Sequence, residues 1–314
     1  MLSKKKFFLV ICLCAVIGLC LYWWYGYYRA TYPEELLETK DQIFSLNDFV
    51  SSGATTGAIP AIDEPVFESV LSADQYLDDQ GRGIVVRRNG LTRFYPYQIL
   101  VWHEVVNDIF SGKNLVITYC PLCSSGIVFD RTIGEQELSF ETAGVVWNNN
   151  LVLQDRETNS LWVQLLHQSV DGSFLGTVLE VYPSSEMTWN DFKQNYPSGN
   201  VLSRNTGVER DYTRDPYGDY QENHAVLFSL THLDERLSSK ELVYGVETAS
   251  GTKVYPLSLF SNKIEIPDVV GSTAITISAS EGQITLSSQE DAIGIKTRWF
   301  CWATAHPHTD IYNP

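Results

Sequence analysis

Beyond residue 60 the chain alternates apolar and polar positions in short runs, the period of strands with one buried face. Ile84–Arg88 and Leu91–Tyr95 flank Asn89-Gly90, a pair that accepts the two positive φ angles of a tight turn, and so predict a hairpin. Further strands are predicted at Leu115–Tyr119 and Gly126–Asp130. Helical spacing competes in two places. Ile99, His103, Val106 and Phe110 fall on one helical face behind Pro96, which suits a first turn, so a helix is expected from Pro96 to about Phe110. A second is expected from Thr188 to Tyr196, capped by Ser185 or Thr188 and stopped by Pro197 and Gly199. The remainder reads as short strands broken by Gly, Asn and Pro. The expected fold is a single mainly β (α+β) domain over residues 61–314, with two or three short helices.

One stretch obeys neither period. Residues 7–28 are uncharged and mostly apolar, and at about 1.5 Å per residue they are long enough to cross the ~30 Å core of a bilayer. Lys4–Lys6 precede the run, and tyrosines and tryptophans crowd its far end. The pattern predicts a cytoplasmic tail (1–6), a transmembrane signal anchor (7–28) and a tether (29–60), whose Ser51–Pro60 portion is rich in Ser, Gly and Thr. A cleaved signal peptide is the rival reading, and the bulky residues before Thr31 disfavour it. The membrane is thus the expected partner, and the location is the cell membrane with the domain on its extracytoplasmic side.

Charge narrows the partners further. Lys and Arg number 22 against 38 Asp and Glu, a net charge of −16; without Lys4–Lys6 the balance is 19 against 38, or −19. A domain this acidic is not expected to bind nucleic acid.

Three cysteines, Cys12, Cys14 and Cys20, sit in the anchor as apolar fillers. The domain keeps Cys120, Cys123 and Cys301, an odd number for an oxidising compartment. Cys120-Pro121-Leu122-Cys123 ends one predicted strand and precedes another. Three chemistries fit it: copper or zinc ligation, thiol redox or nucleophilic work, and a structural disulfide. Metal ligation needs further donors, with His103 and His306 as the candidates beside Cys120 and Cys123. Nucleophilic catalysis by Cys120 needs a base, with His103, His306 or Glu104 available, and Arg131 to steady an oxyanion. Each has a plainer alternative. His103 on an apolar stripe is a hydrogen-bonded core residue, Glu104 a solvated helix residue, and His308 exposed. The Asp-Arg and Arg-Asp pairs at Asp155-Arg156 and Arg210-Asp211 are carboxylate–guanidinium locks between turns. Asn148–Asn150 are turn formers before they are pocket lining.

Several landmarks occur together in order: Tyr95 to Asp108, Thr118-Tyr-Cys120-Pro-Leu-Cys123, Asp130-Arg131, Asp155-Arg-x-Thr-x-Ser160-Leu-Trp162-x-Gln164, Arg210-Asp-Tyr, Pro216-Tyr, and Trp302-x-x-x-His306-Pro-x-Thr309. Over roughly residues 58–312 the chain resembles the DUF3179 family, bacterial and archaeal proteins that share a domain of unknown function. The resemblance implies one domain and a shared site for the cysteine pair, His103 and His306, and supplies no activity. Cys301 stands where the resemblance leads one to expect an apolar residue, so it is not expected as a ligand. The leading expectation is a membrane-anchored metal-binding protein; the alternatives are a thiol–disulfide oxidoreductase or cysteine-nucleophile enzyme, and a non-catalytic envelope domain.

Overall fold

Tight two-residue turns set the strand pattern. Asn89-Gly90, Ser111-Gly112 and Asn148-Asn149 all carry positive φ at both positions, from +50° to +77°, the twist that lets two strands fold back without splaying. They join Arg82–Arg88 to Leu91–Pro96, Val105–Phe110 to Lys113–Cys120, and Phe140–Trp147 to Asn150–Asp155. The predicted hairpin therefore forms in the expected register, with Arg88 opposite Leu91.

The computed structural model describes residues 37–38, 43–44, 48–260, 263–280 and 283–314. The expected anchor at residues 7–28 lies outside these. Among the described residues no helix is long and apolar enough to cross a membrane.

The architecture corrects the expected α+β domain. The protein is mainly β and arranged as a five-bladed β-propeller, and five sheets of three or more strands are present among the described residues. Distant segments complete them. Phe49–Ser51 pairs with Phe140–Trp147. Asn200–Leu202 lies parallel to Leu91–Pro96 and antiparallel to Phe67–Ser69. Such pairings join runs whose local alternation is the same whichever sheet they enter, so the pattern reads as "β" without revealing blades. Residues 49–60 are accordingly no free tether: Gly57 N–H donates to the Thr142 carbonyl at 2.9 Å.

The helix expected from Pro96 to Phe110 is cut short at Tyr97–Leu100. Glu104 takes φ +58°, which no helix accepts, and Val105–Phe110 pairs with Lys113–Cys120 instead. That strand is buried at every position but Ile109, so no period of two remains to compete with the apparent helical stripe. The expected second helix forms as Trp189–Asn195, with Thr188 accepting from the Asp191 N–H.

The C-terminal segment returns to the core as Trp299–Ala305, a helix buried at all seven residues. Trp302 lies flat against strand Leu242–Thr248 because residue 245 is glycine; a Cβ there would sit 2.4 Å from the indole. Gly245→Ala is therefore expected to lower stability by about 2 kcal/mol, read as a lower urea midpoint with unchanged m. An unchanged midpoint would mean that the helix is free to shift.

Candidate functional site

Strand Lys113–Cys120 ends at Cys120, a turn of Pro121 to Ser124 follows, and Ser125 opens the next strand directly opposite Cys120. The turn does not close on itself. Cys123 is disulfide-bonded to Cys301 on the C-terminal helix, 178 residues away, and Cys120 remains a buried free thiol. This corrects the view of Cys120 and Cys123 as one ligand pair and of Cys301 as a bystander. The buried helix places Cys301 beside the turn, and the Cys123 carbonyl accepts from the Arg298 N–H at 2.8 Å and the Thr297 hydroxyl at 3.0 Å.

Thiol and disulfide are neighbours. The main-chain oxygen of Asn149 lies 3.4 Å from Cys120 Sγ and 3.5 Å from Cys123 Sγ. Asn149 can aim that oxygen inward because it sits in the left-handed half of its turn, at φ +65°. Asn150 Nδ2 also reaches Cys123 Sγ, at 3.6 Å.

Cys120 lines a cavity of ≈ 130 Å³, together with Glu104, Asn149 and Tyr217 and an apolar wall that includes Ile59, Val146 and Leu151. Glu104 belongs to it for a backbone reason. Its carbonyl accepts the Tyr119 N–H at 2.9 Å, which seats it beside Cys120, and its positive φ turns the side chain away from the strand. The outer wall is the long segment between Leu202 and Leu242, which has no strand or helix of its own. Tyr217 donates to Glu104 at 2.6 Å, and Gln221 donates to the Pro121 carbonyl at 2.6 Å. Asn149 holds Phe228 by two hydrogen bonds, and Asn148 accepts from the Thr231 N–H. The asparagine turn thus faces the sulfurs with its backbone and grips the covering segment with its side chains.

Burial controls the charges. Desolvation lifts the Glu104 carboxyl from 4.5 to about 7, against the Tyr217 hydrogen bond that lowers it. Desolvation, then the nearby Glu104 charge, pushes the Cys120 thiol up to about 12, although backbone N–H groups of Cys123, Leu151 and Leu122 point at the sulfur. At neutral pH Cys120 is a thiol and Glu104 exchanges its proton.

The other expected site residues lie elsewhere. His103 is fully buried in a turn, its Nδ1 at 2.8 Å from the Pro60 carbonyl and its Nε2 at 2.6 Å from the Tyr212 hydroxyl, so both ring nitrogens are engaged. His306 ends the C-terminal helix with its ring over Trp302 at 4.2 Å. Neither histidine lines the cavity. Arg131 donates to the Leu138 carbonyl and braces a turn rather than an oxyanion. Arg156 locks turns together, but not through Asp155: its Nη1 reaches both oxygens of Asp63 at 2.9 Å and its Nε reaches Glu141, whereas Arg210 donates to the Glu209 carbonyl and not to Asp211. Copper or zinc does not fit this donor set: Cys123 is oxidised and His103 is spent. Among the described residues no three of His, Cys, Asp and Glu stand close enough to hold a metal ion. Asn149 is both the turn former and the pocket lining that its sequence allowed; Tyr217 is the site residue with no assigned role in the sequence, where Pro216-Tyr217 among the family landmarks was its one available signal.

The family model described as "Protein of unknown function (DUF3179)" matches residues 56–298. The chain belongs to this family. Neither a curated protein nor a solved structure matches it. The match begins inside the segment that walls the cavity and includes Cys120, Glu104, Asn149 and Tyr217; Cys301 lies just beyond it.

The raised Glu104 value sets a pH dependence. The unfolded chain ionises this group near 4.5 and the folded chain near 7, so between those values the folded state holds the extra proton and stability falls as pH rises. The shift corresponds to roughly 3 kcal/mol, fully present as a penalty above about pH 7. Glu104→Gln is expected to gain stability over the wild type at pH 8 and to lose that advantage at pH 4. Urea unfolding at the two values checks it; an equal difference at both would show that Glu104 titrates normally.

Proposed function

We propose that the domain is a thiol–disulfide oxidoreductase, with Cys120 as the sulfur that meets substrate and Cys123–Cys301 as the electron store behind it. The observation that carries this reading is the Asn149 oxygen in contact with both the free thiol and the disulfide. A staple needs no thiol beside it, and a metal site needs Cys123 reduced.

The exchange balances within the protein. Cys120 Sγ–H, which rests on the Asn149 oxygen, gives its proton to the Glu104 carboxylate on the same cavity wall. This is an uphill transfer for a thiol at about 12 and an acid at about 7, and the thiolate attacks Cys123 Sγ. The Cys123–Cys301 bond breaks as the Cys120–Cys123 bond forms, and Cys301 leaves as a thiolate that takes up a proton. A substrate thiol entering the cavity then attacks Cys120 Sγ and releases Cys123. A second thiol displaces the substrate as a disulfide. Two substrate thiols are oxidised, and Cys123 and Cys301 are left reduced.

A disulfide in the resting state favours an oxidising compartment, so the location we propose is extracytoplasmic. Attachment to a membrane through residues 7–28 is proposed on the sequence of that stretch alone.

Mapping of the disulfides after incubation with excess 2-mercaptoethanol tests the role of Cys120. The wild type is expected to pass through a mixed disulfide at Cys120 and to lose Cys123–Cys301. In Cys120→Ser that loss is expected to be about tenfold or more slower. Equal rates in the two folded proteins would remove Cys120 from the path and leave Cys123–Cys301 as a staple.

A further inference from the structure

The wall of the Cys120 cavity restricts what can reach the sulfur. Most of its polar side chains spend their hydrogen bonds on the protein itself. Ser52 Oγ donates to the Gly144 carbonyl at 2.9 Å, and Thr142 Oγ1 to the Ile59 carbonyl at 3.5 Å. Asn149 uses both ends of its side-chain amide on the main chain of Phe228. Tyr217 donates to Oε1 of Glu104. Oε2 of Glu104 accepts from no protein donor among the described residues and is left to a guest. The rest of the wall is apolar and continues outward to Leu227, which is 57% exposed.

Charge restricts the guest further. None of the described lining residues is Lys, Arg or His. The charge that the wall itself brings is therefore the Glu104 carboxylate, which forms as pH rises through about 7. A guest with a fixed negative charge would be desolvated beside a like charge and would meet no cation there.

Size sets the last limit. The cavity of ≈ 130 Å³ is comparable to apolar cavities that admit a ring of about six heavy atoms. A cysteine inside a peptide would also bring two flanking peptide groups, and the wall has almost no free donors or acceptors to satisfy them.

We infer that the substrate of this site is a small, uncharged thiol with an apolar body. The inference rests on the oxidoreductase reading. The guest enters as the thiol, and Oε2 of Glu104, returned to its carboxylate, takes its proton. Its sulfur bonds to Cys120 Sγ as the Cys120–Cys123 bond breaks, and Cys123 leaves as a thiolate that takes up a proton.

Loss of the Cys123–Cys301 disulfide from the full chain at pH 8, followed with matched thiols, tests it. Each rate is divided by that of the same thiol with dipyridyl disulfide, which removes intrinsic reactivity. Butanethiol and mercaptopropanamide are expected to exceed mercaptopropionate about tenfold or more. A Gly-Cys-Gly peptide with blocked ends, uncharged but larger than the cavity, is expected to be slower than butanethiol by a similar factor. The amide-to-carboxylate ratio is expected to fall toward one in Glu104→Gln. Leu227→Lys, an exposed substitution outside the core, is expected to lower the ratio about threefold and serves if Glu104→Gln no longer reacts. A ratio near one in the wild type, a blocked peptide as fast as butanethiol, or a ratio unchanged in the variants would overturn this inference while leaving Cys120 on the path. Equal rates in the wild type and Cys120→Ser would overturn the oxidoreductase reading and this inference with it.

Discussion

A covalent tie across 178 residues holds the site together. Cys123 belongs to a four-residue turn and Cys301 to a helix with every residue buried. In a chain-entropy model, closing a loop of that length restricts the unfolded state by about 5 kcal/mol. The same tie places the Cys123 carbonyl where Thr297 and Arg298 can donate to it, so turn, strand end and helix are positioned as one unit. The thiol of Cys120 is carried on the rim of that unit, and the cavity exists because the unit leaves it there.

Around this tie, polar groups are buried at a cost that a purely structural core would avoid. A carboxyl at 5% exposure on a residue with φ +58° combines two unfavourable features, a desolvated acid and a backbone angle that costs on the order of 1–3 kcal/mol. Tyr217 compensates by donating a hydrogen bond to that carboxyl from a covering segment that has no secondary structure of its own, and the Asn148-Asn149 turn holds the segment in place. That segment is held to the sulfur site at several points, so movement of one is felt by the other.

The sequence foretold local features better than distant ones. The Asn89-Gly90 hairpin, the strand into Cys120 and the helix capped by Thr188 follow from turn chemistry and capping, which act over a few residues. The helix expected through His103 and Phe110 failed because a strand buried on both faces loses its alternation and a single positive φ at Glu104 outweighs the stripe. Blades and the Cys301 partnership depend on contacts across about a hundred residues or more, where spacing carries no information. Cys120 and Glu104 were legible as reactive residue types; their sharing of one cavity was not.

The 178-residue separation also imposes an order of events on a chain made from its N-terminus. At about 5–20 residues per second, Cys120 and Cys123 wait on the order of 10–40 s before Cys301 is synthesised. Of the domain's three cysteines, a strong oxidant met in that interval finds only the two nearer thiols, and the first bond available between them is Cys120–Cys123. The mature pairing then has to arise by exchange rather than by fresh oxidation, and the helix that carries Cys301 selects it by burying itself. Maturation and the proposed exchange would run through the same three sulfurs in opposite directions, which makes the last part of the fold to form the part that arms the site.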